Sequence, residues 1–432
     1  MAQRVTPPFR ADHVGSLLRP HALLTARAQR ARGDISAQEL EQREDAAIRD
    51  AVKMQEDVGL RVATDGEFRR EMWHTDFLSQ LINVEVVPGK IKVRFTSAEG
   101  ETEIEPPGAV VTGKLGWPAG GIFVNHFKFL KSVVPQGIAP KITIPSPSTL
   151  HFRGGRAAVD REAYPDMAAF YADLASVYGA EVRAFAQAGC RYLQIDEVNL
   201  AFLCDPRLRE EIRTTIGEDP DVLPHTYAKL INASIATRPK DMVVCLHLCR
   251  GNAMSSWLAQ GGYDPVAEVL FNEVGVDGFF LEYDTSRAGS FEPLRFVPRG
   301  KTVVLGLVTS KTGVMEAKDA LKRRLDEASR FSPVARPATR FRSTTKSASC
   351  SWSSRRRARY GVDQRIVTMT LPRRRVDRQA RISCFTAGWG LHRRSACASL
   401  PQVRSLCPLH DWVEPFERSA TLGCGRTRSK GR

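Results

Sequence analysis

The chain has 432 residues, 42% of them hydrophobic and 26% charged, a globular composition that excludes whole-chain disorder and a small disulfide-built scaffold. It contains no apolar run of about 18 residues, so no membrane-spanning helix is expected, and its start, MAQRVTPPFRADHVG, lacks the apolar core of a secretion signal, so a cytoplasmic protein is expected. The net charge of +15 belongs to one end: residues 332–432 hold 22 Lys+Arg against 5 Asp+Glu and residues 1–331 hold 41 against 43, so the body is not a nucleic-acid surface.

Residues 11–17, ADHVGSL, read as a first strand. Residues 36–58 read as a helix. Ser36 and Glu39 form a capping box, Gly59 is a stop, and Leu40, Ala47, Ile48, Ala51 and Val52 recur at helical spacing. A second short strand, RVATDGE, covers 61–67. Residues 84–125 break the rhythm as a β excursion rich in Val, Ile, Thr, Gly and Pro. Strand-like runs follow at 141–148, 192–197, 242–249, 276–284 and 301–310. Helical spacing marks 165–188, 224–236, 254–273 and 314–330. Strands alternating with helices predict a parallel sheet, and seven of them favour an α/β fold of the TIM-type (β/α) barrel.

Each predicted strand ends in polar residues: His13 and Ser16, Asp65 and Glu67, Ser146 and Ser148, Asp196 and Glu197, His247 and Cys249, Glu282 and Asp284, Thr309 and Ser310. In a barrel such ends gather on the face that carries the active site. The sharpest pair is His247 and Cys249. Residues two apart on a strand point the same way, so both can reach one metal, and imidazole with thiolate suits zinc. Glu282, ending the next strand, adds a third donor. Asp196 and Glu197 read either as a helix N-cap with a solvated charge or as carboxylates for a substrate ammonium. Glu67, followed by Arg69 and Arg70, has the same two readings. Cys190, Cys204, Cys245 and Cys249 read as thiols of a reduced compartment.

At these residues the chain resembles the cobalamin-independent methionine synthase family, and more narrowly the short single-barrel relatives of its catalytic half. The resemblance is carried by DHVGSLLRP (12–20), VATDGEFRREMWHTDF (62–77), YLQIDEVNLAF (192–202), CLHLCRGN (245–252) and FFLEYDTSRAG (279–289), in family order over about residues 8–331. It implies a (β/α)8 barrel that transfers a methyl group from a methyltetrahydrofolate-type donor to the thiol of homocysteine, giving methionine. It implies zinc at His247, Cys249 and Glu282, with Ser16, Glu67 and Asp196 holding the amino acid part of homocysteine. Two departures stand out. The full-length enzymes place a proton-donor His after strand seven, where GLVTSKTG (306–313) has Lys311 instead. The family's fourth zinc ligand, a Cys in a Q-C-G-F context near strand eight, has no counterpart; Cys350 lies at a fitting distance in unlike surroundings. Other readings are a corrinoid-dependent methyltransferase or another member of the same barrel superfamily, and an inactive remnant.

Residues 332–432 form an Arg/Ser/Cys-rich tail in which 20 of the 22 basic residues are Arg. One reading is a disordered basic extension. The reading preferred here is a shifted frame. Codons started at the third base from Lys346 to Asp363 permit the peptide ERKLQLVVETARAVWG and then a stop, which resembles the family's last helix. The expected organisation is therefore a barrel over 1–331 lacking its eighth unit, followed by an out-of-frame tail.

Overall fold

The structure, a computed structural model, describes residues 6–88, 93–97, 99–253 and 255–331. The chain divides into Met1–Arg373 and Arg374–Arg432, and all described residues fall in the first unit. The shifted-frame reading, the tail and Cys350 lie outside the described residues.

The strands in chain order are β1 (Val62–Ala63), β2 (Ile82–Val87), β3 (Val93–Ser97), β4 (Gly100–Ile104), β5 (Gly108–Gly116), β6 (Ala139–Pro140), β7 (Ile142–Pro145), β8 (Tyr192–Asp196), β9 (Val243–Leu248), β10 (Asn252–Ala253), β11 (Ser256–Trp257), β12 (Gly278–Glu282) and β13 (Thr302–Gly306). Strands β7, β8, β9, β12 and β13 form one parallel sheet in that order. Strand β6 pairs in parallel with β1, and the Lys141 amide donates to the Ala63 carbonyl at 2.9 Å. Since β6 runs through Lys141 into β7, β1 extends the same parallel arc. Helices Met167–Gln187, Leu223–Ile235 and Asp264–Asn272 lie between successive strands, the arrangement expected of β/α units.

The arc is not a closed barrel. Among the described residues no ladder joins β13 back to the N-terminal segment. The predicted strand at 11–17 is not a strand either. Gly15 has φ +110°, and the segment is held mainly by side chains: Gln194 Nε2 donates to the Val14 carbonyl at 2.7 Å and Thr64 Oγ1 to the Gly15 carbonyl at 2.6 Å. A second correction concerns 254–273. Its first part holds β11, which turns back on β10 just before it, and the helix begins only at Asp264. Gly251, Ser255 and Gly261 all have positive φ, which ends helical propagation, and a Cβ on Gly261 would lie 2.2 Å from the Cys204 carbonyl oxygen. The turned-back β11 pairs Trp257 with Thr96 of β3. Sequence periodicity also missed helices His21–Ala31 and Val124–Val133. Helix Ala37–Asp57 has its capping box, Ser36 Oγ accepting from the Glu39 amide and Glu39 Oε2 accepting from the Ser36 amide.

Side-chain alternation divides the sheet into two faces. Outward residues such as Leu193, Leu246 and Phe279 bury against the helices, with Phe185, Tyr227 and Leu270 among their partners in the main core. Inward residues Val62, Tyr192, Cys245, Phe280 and Val304 pack with Phe9 and Val14 into a separate apolar floor. A buried ion pair lies beside that floor. Lys141 Nζ is 3.0 Å from Asp12 Oδ1, and the Tyr192 hydroxyl donates to Asp12 Oδ2 at 2.8 Å. Both charges are fully buried, which is tolerable only because each is paired and hydrogen-bonded. No helix among the described residues is long and apolar enough to cross a membrane.

Burial, and then the Lys141 charge, lowers the His13 pKa from 6.5 to about 4; burial, and then Arg153, lowers that of His74 to about 3. Both rings are neutral in the fold and take up protons on unfolding once the pH drops below 6.5. Their stabilisation is therefore complete above pH 6.5 and lost as pH falls toward 4 and 3, by about 1.4 kcal/mol per pH unit for each ring. Urea denaturation of His13→Gln and His74→Gln is expected to show a flatter decline over that window than the unsubstituted chain.

Candidate functional site

The inward face that starts as an apolar floor becomes polar toward the strand ends. On β8 the inward residues are Tyr192, Gln194 and Asp196. On β9 they are Cys245 and His247, continued by Cys249, and on β12 Phe280 and Glu282. Register aligns them. Asp196 pairs with His247 and Phe280 with His247, so two residues further along Glu282 falls opposite Cys249. All four residues are buried: Asp196 is 7% exposed, His247 2%, Cys249 2% and Glu282 5%.

His247 is held by Asp196. Its Nδ1 lies 2.7 Å from Asp196 Oδ1, and Gln194 Nε2 donates to the same oxygen at 2.7 Å. In the neutral ring, Nδ1 donates and the Nε2 lone pair is left available. Nε2 is buried without a hydrogen-bond partner among the described residues, which is costly unless something else binds there. Tyr263 fixes the other two strand ends. Its hydroxyl accepts from the Glu282 amide at 3.0 Å and donates to the Leu248 carbonyl at 3.1 Å.

Glu282 is surrounded by donors. Its Oε2 accepts from the Arg250 amide at 2.9 Å and from Asn252 Nδ2 at 3.0 Å; its Oε1 meets Arg287 Nη2 and, at 3.4 Å, Lys311 Nζ. Burial, the largest single influence, pushes its pKa up, but Lys311, Arg287 and the bonds from Asn252 and the Arg250 amide together hold it at about 2. Asp284 shares both cations, at 2.8 Å from Arg287 and 3.6 Å from Lys311. Arg287 in turn lies 5.0 Å from the centre of the Trp257 ring.

The remaining predicted residues adjoin this row. Glu67, with φ 61°, is 4% exposed; Thr143 Oγ1 donates to its Oε1 at 2.9 Å, and Arg70 lies 3.8 Å away. Thr143 is opposite Gln194 in the ladder, and Gln194 also grips Val14. The loop bearing half-buried Ser16, the Glu67 carboxylate and Asp196 are thus joined through Thr143 and Gln194. Glu197 takes the other course. It accepts from the Asn199 and Leu200 amides at 3.0 and 3.1 Å and from Ser148 Oγ at 2.5 Å. It thus accepts from the first two amides of helix Asn199–Phe202 from a fully buried position rather than carrying a solvated charge.

Arg287, Asn252, Tyr263 and Gln194 escaped the sequence reading. Only Gln194 carries a signal, its spacing of two from Asp196. Among the described residues, no three of His, Cys, Asp and Glu are grouped closely enough to hold a metal ion. The donor set nevertheless suits zinc in kind: an imidazole with a partnerless Nε2, a thiol, and a carboxylate one strand away in register. Glu282 is engaged with Arg287 and Lys311. Burial raises the pKa of Cys190 to about 12 and of Cys204 to about 11, which keeps both as neutral thiols.

The chain is 44% identical to the uncharacterized Bacillus subtilis (strain 168) protein YxjH over 329 residues, which is 75% of this chain and 84% of that protein. It is 43% identical to YxjG of the same organism over 331 residues, 76% and 85% of the two chains. Among solved structures it is similar to a candidate vitamin-B12-independent methionine synthase from Listeria monocytogenes, at 38% identity and TM-score 0.60, covering 76% of this chain and 88% of that one. A B12-independent methionine synthase from Shewanella sp. W3-18-1, in complex with selenomethionine, shares the fold at 19% identity and TM-score 0.50, over 70% and 80% of the two chains. No family model matches the chain.

Asp196→Asn replaces the charged acceptor on His247 Nδ1. Nitrogen-15 NMR of the imidazole should show a dominant Nδ1–H tautomer in the unsubstituted chain and a mixture in the variant. The lost charge-assisted bond should cost about 1.5–3 kcal/mol in urea denaturation.

Proposed function

Because the chain belongs to the family of Bacillus subtilis YxjH and YxjG and of the Listeria monocytogenes candidate vitamin-B12-independent methionine synthase, we propose that it is a methyltransferase that methylates the thiol of homocysteine without a corrinoid, giving methionine. The proposed donor is a methyltetrahydrofolate. The observation that carries this reading is the inward row Asp196, His247, Cys249 and Glu282, in which a carboxylate-oriented imidazole presents a buried, partnerless Nε2 beside a thiol and a carboxylate.

In this reading His247, Cys249 and Glu282 hold zinc. Zinc so held supplies the positive charge that deprotonates a bound thiol near neutral pH. The chain's own groups do the rest. Glu67 and Asp196 take the substrate ammonium, with Ser16 beside them on the joined N-terminal loop. Both strong bonds to Asp196 fall on Oδ1, so Oδ2 is the oxygen assigned to the ammonium. Fixing the amino acid end orients the sulfur for attack. The S–CH3 bond forms as the donor's N–CH3 bond breaks, and a proton must reach the donor nitrogen because it would otherwise leave as the anion of a secondary amine, a poor leaving group. Lys311 is the proposed proton donor. The four buried thiols among the described residues, none of them in a disulfide, support a reduced, cytoplasmic setting.

Cys249→Ser tests the reading. A lost outer-shell partner alone typically costs 10–100-fold in metal affinity, so loss of a ligand should lower both zinc affinity and homocysteine methylation by about 100-fold or more. Unchanged zinc content by elemental analysis removes Cys249 from the site.

For the tail, the proposal is a body over 1–331 followed by residues read in a shifted frame. The matched stretches of 329 and 331 residues are about as long as that body. Resequencing across the codons for residues 320–365 should reveal a base miscall that restores an eighth strand and a terminal helix. An intact printed frame overturns the proposal.

A further inference from the structure

We infer that Lys311 and Arg287 are resident counter-cations of Glu282, and that a metal ion can use this carboxylate only by displacing both from it, Lys311 leaving the group and Arg287 withdrawing to Asp284. The inference rests on the zinc reading given above and deepens it.

A carboxylate has about four lone-pair positions for donors. Glu282 uses four contacts: Arg250 N and Asn252 Nδ2 on Oε2, and Arg287 Nη2 and Lys311 Nζ on Oε1. Asp284 completes the group, held by the same two cations and by Thr309 Oγ1 at 2.9 Å. Two carboxylates and two cations make a neutral quartet. Its side chains are only 2–8% exposed. In such a place each charge needs its partner, because an uncompensated charge is costly. The quartet therefore satisfies Glu282 without a metal.

Lys311 is the member that yields. Its contacts are the longest, 3.4 and 3.6 Å, and it sits beyond β13 on the loop that follows Gly306. Arg287 bridges both carboxylates and is covered by Trp257, whose backbone is paired to β3. A dication arriving at His247 and Cys249 replaces the ammonium on Glu282 and leaves Arg287 on Asp284. Metal loading then frees Lys311 for the proton-donor role proposed above. Lys311 is thus a positioning residue while the metal is absent.

The test measures zinc affinity of the full-length chain by competition with a chromogenic chelator, after stripping the protein. Lys311→Met removes the competing charge and should bind zinc on the order of tenfold tighter, within the usual span of coupling between sites. Lys311→Arg keeps the charge and should bind as the unsubstituted chain does. Damage to the fold weakens metal binding, so a gain in affinity is not explained by damage. Should Lys311→Met fail to fold, Arg287→Met removes the other cation and should shift affinity the same way. If the unsubstituted chain binds zinc and neither Met variant binds it more tightly, the inference is overturned while the zinc reading stands. If no chain binds zinc, or Cys249→Ser binds it equally well, the zinc reading falls and the inference with it.

Discussion

Everything at the candidate site depends on the two-residue alternation of parallel strands whose register is locked by their ladders. Each inward position is followed by an outward one. Tyr192, Cys245 and Phe280 therefore sit in one inward layer, and Asp196, His247 and Glu282 rise above it from the same strands. A slip of one residue in β9 would send His247 and Cys249 into the helix-facing core and Leu248 into the site. The outward Leu246 and Leu248, buried in the main core, oppose that slip. Chemistry on the inner face is secured by hydrophobic burial on the outer one.

The second constraint is electrostatic. Burying charge is expensive, so inward charges occur in compensated groups. Lys141 with Asp12 and Tyr192 joins the N-terminal segment to β8 from below. Asp196 with Gln194 aims His247 in the middle. Glu282 and Asp284 with Arg287 and Lys311 close the far side. These groups are graded in commitment. The lowest is fully buried and has a structural role. The uppermost includes the longest contacts, those of Lys311 at 3.4 and 3.6 Å.

The excursion between β1 and β6 enters this scheme through its hairpin. Strand β3 pairs with β11, β11 carries Trp257, and Trp257 covers Arg287. A segment inserted far from Glu282 in the chain thereby steadies one of its counter-ions. The open arc follows from the same ladders. Backbone pairing runs from β1 to β13 in chain order and stops there among the described residues.

Several features were legible without a structure because they rest on local rules. The capping box at Ser36, the strand cores at 192–196 and 243–248, and the common direction of His247 and Cys249 follow from spacing, and the resemblance to the methionine synthases rested on short contiguous motifs. Other features were not legible because they join residues distant in sequence. The N-terminal run looks like a strand but is held by Gln194 and Thr64, and the turn-back at 252–257 depends on β3. Asp196 was assigned to a substrate by resemblance, while its contact with His247 depends on pairing across 51 residues. Nothing near Arg287 in the sequence marks it as a partner of Glu282. The sequence by itself determined which donors exist, on which strands, and facing which way, because alternation is a property of each strand alone. Only the tertiary structure decided which charges neutralise one another, because that depends on distances between strands and loops set by packing.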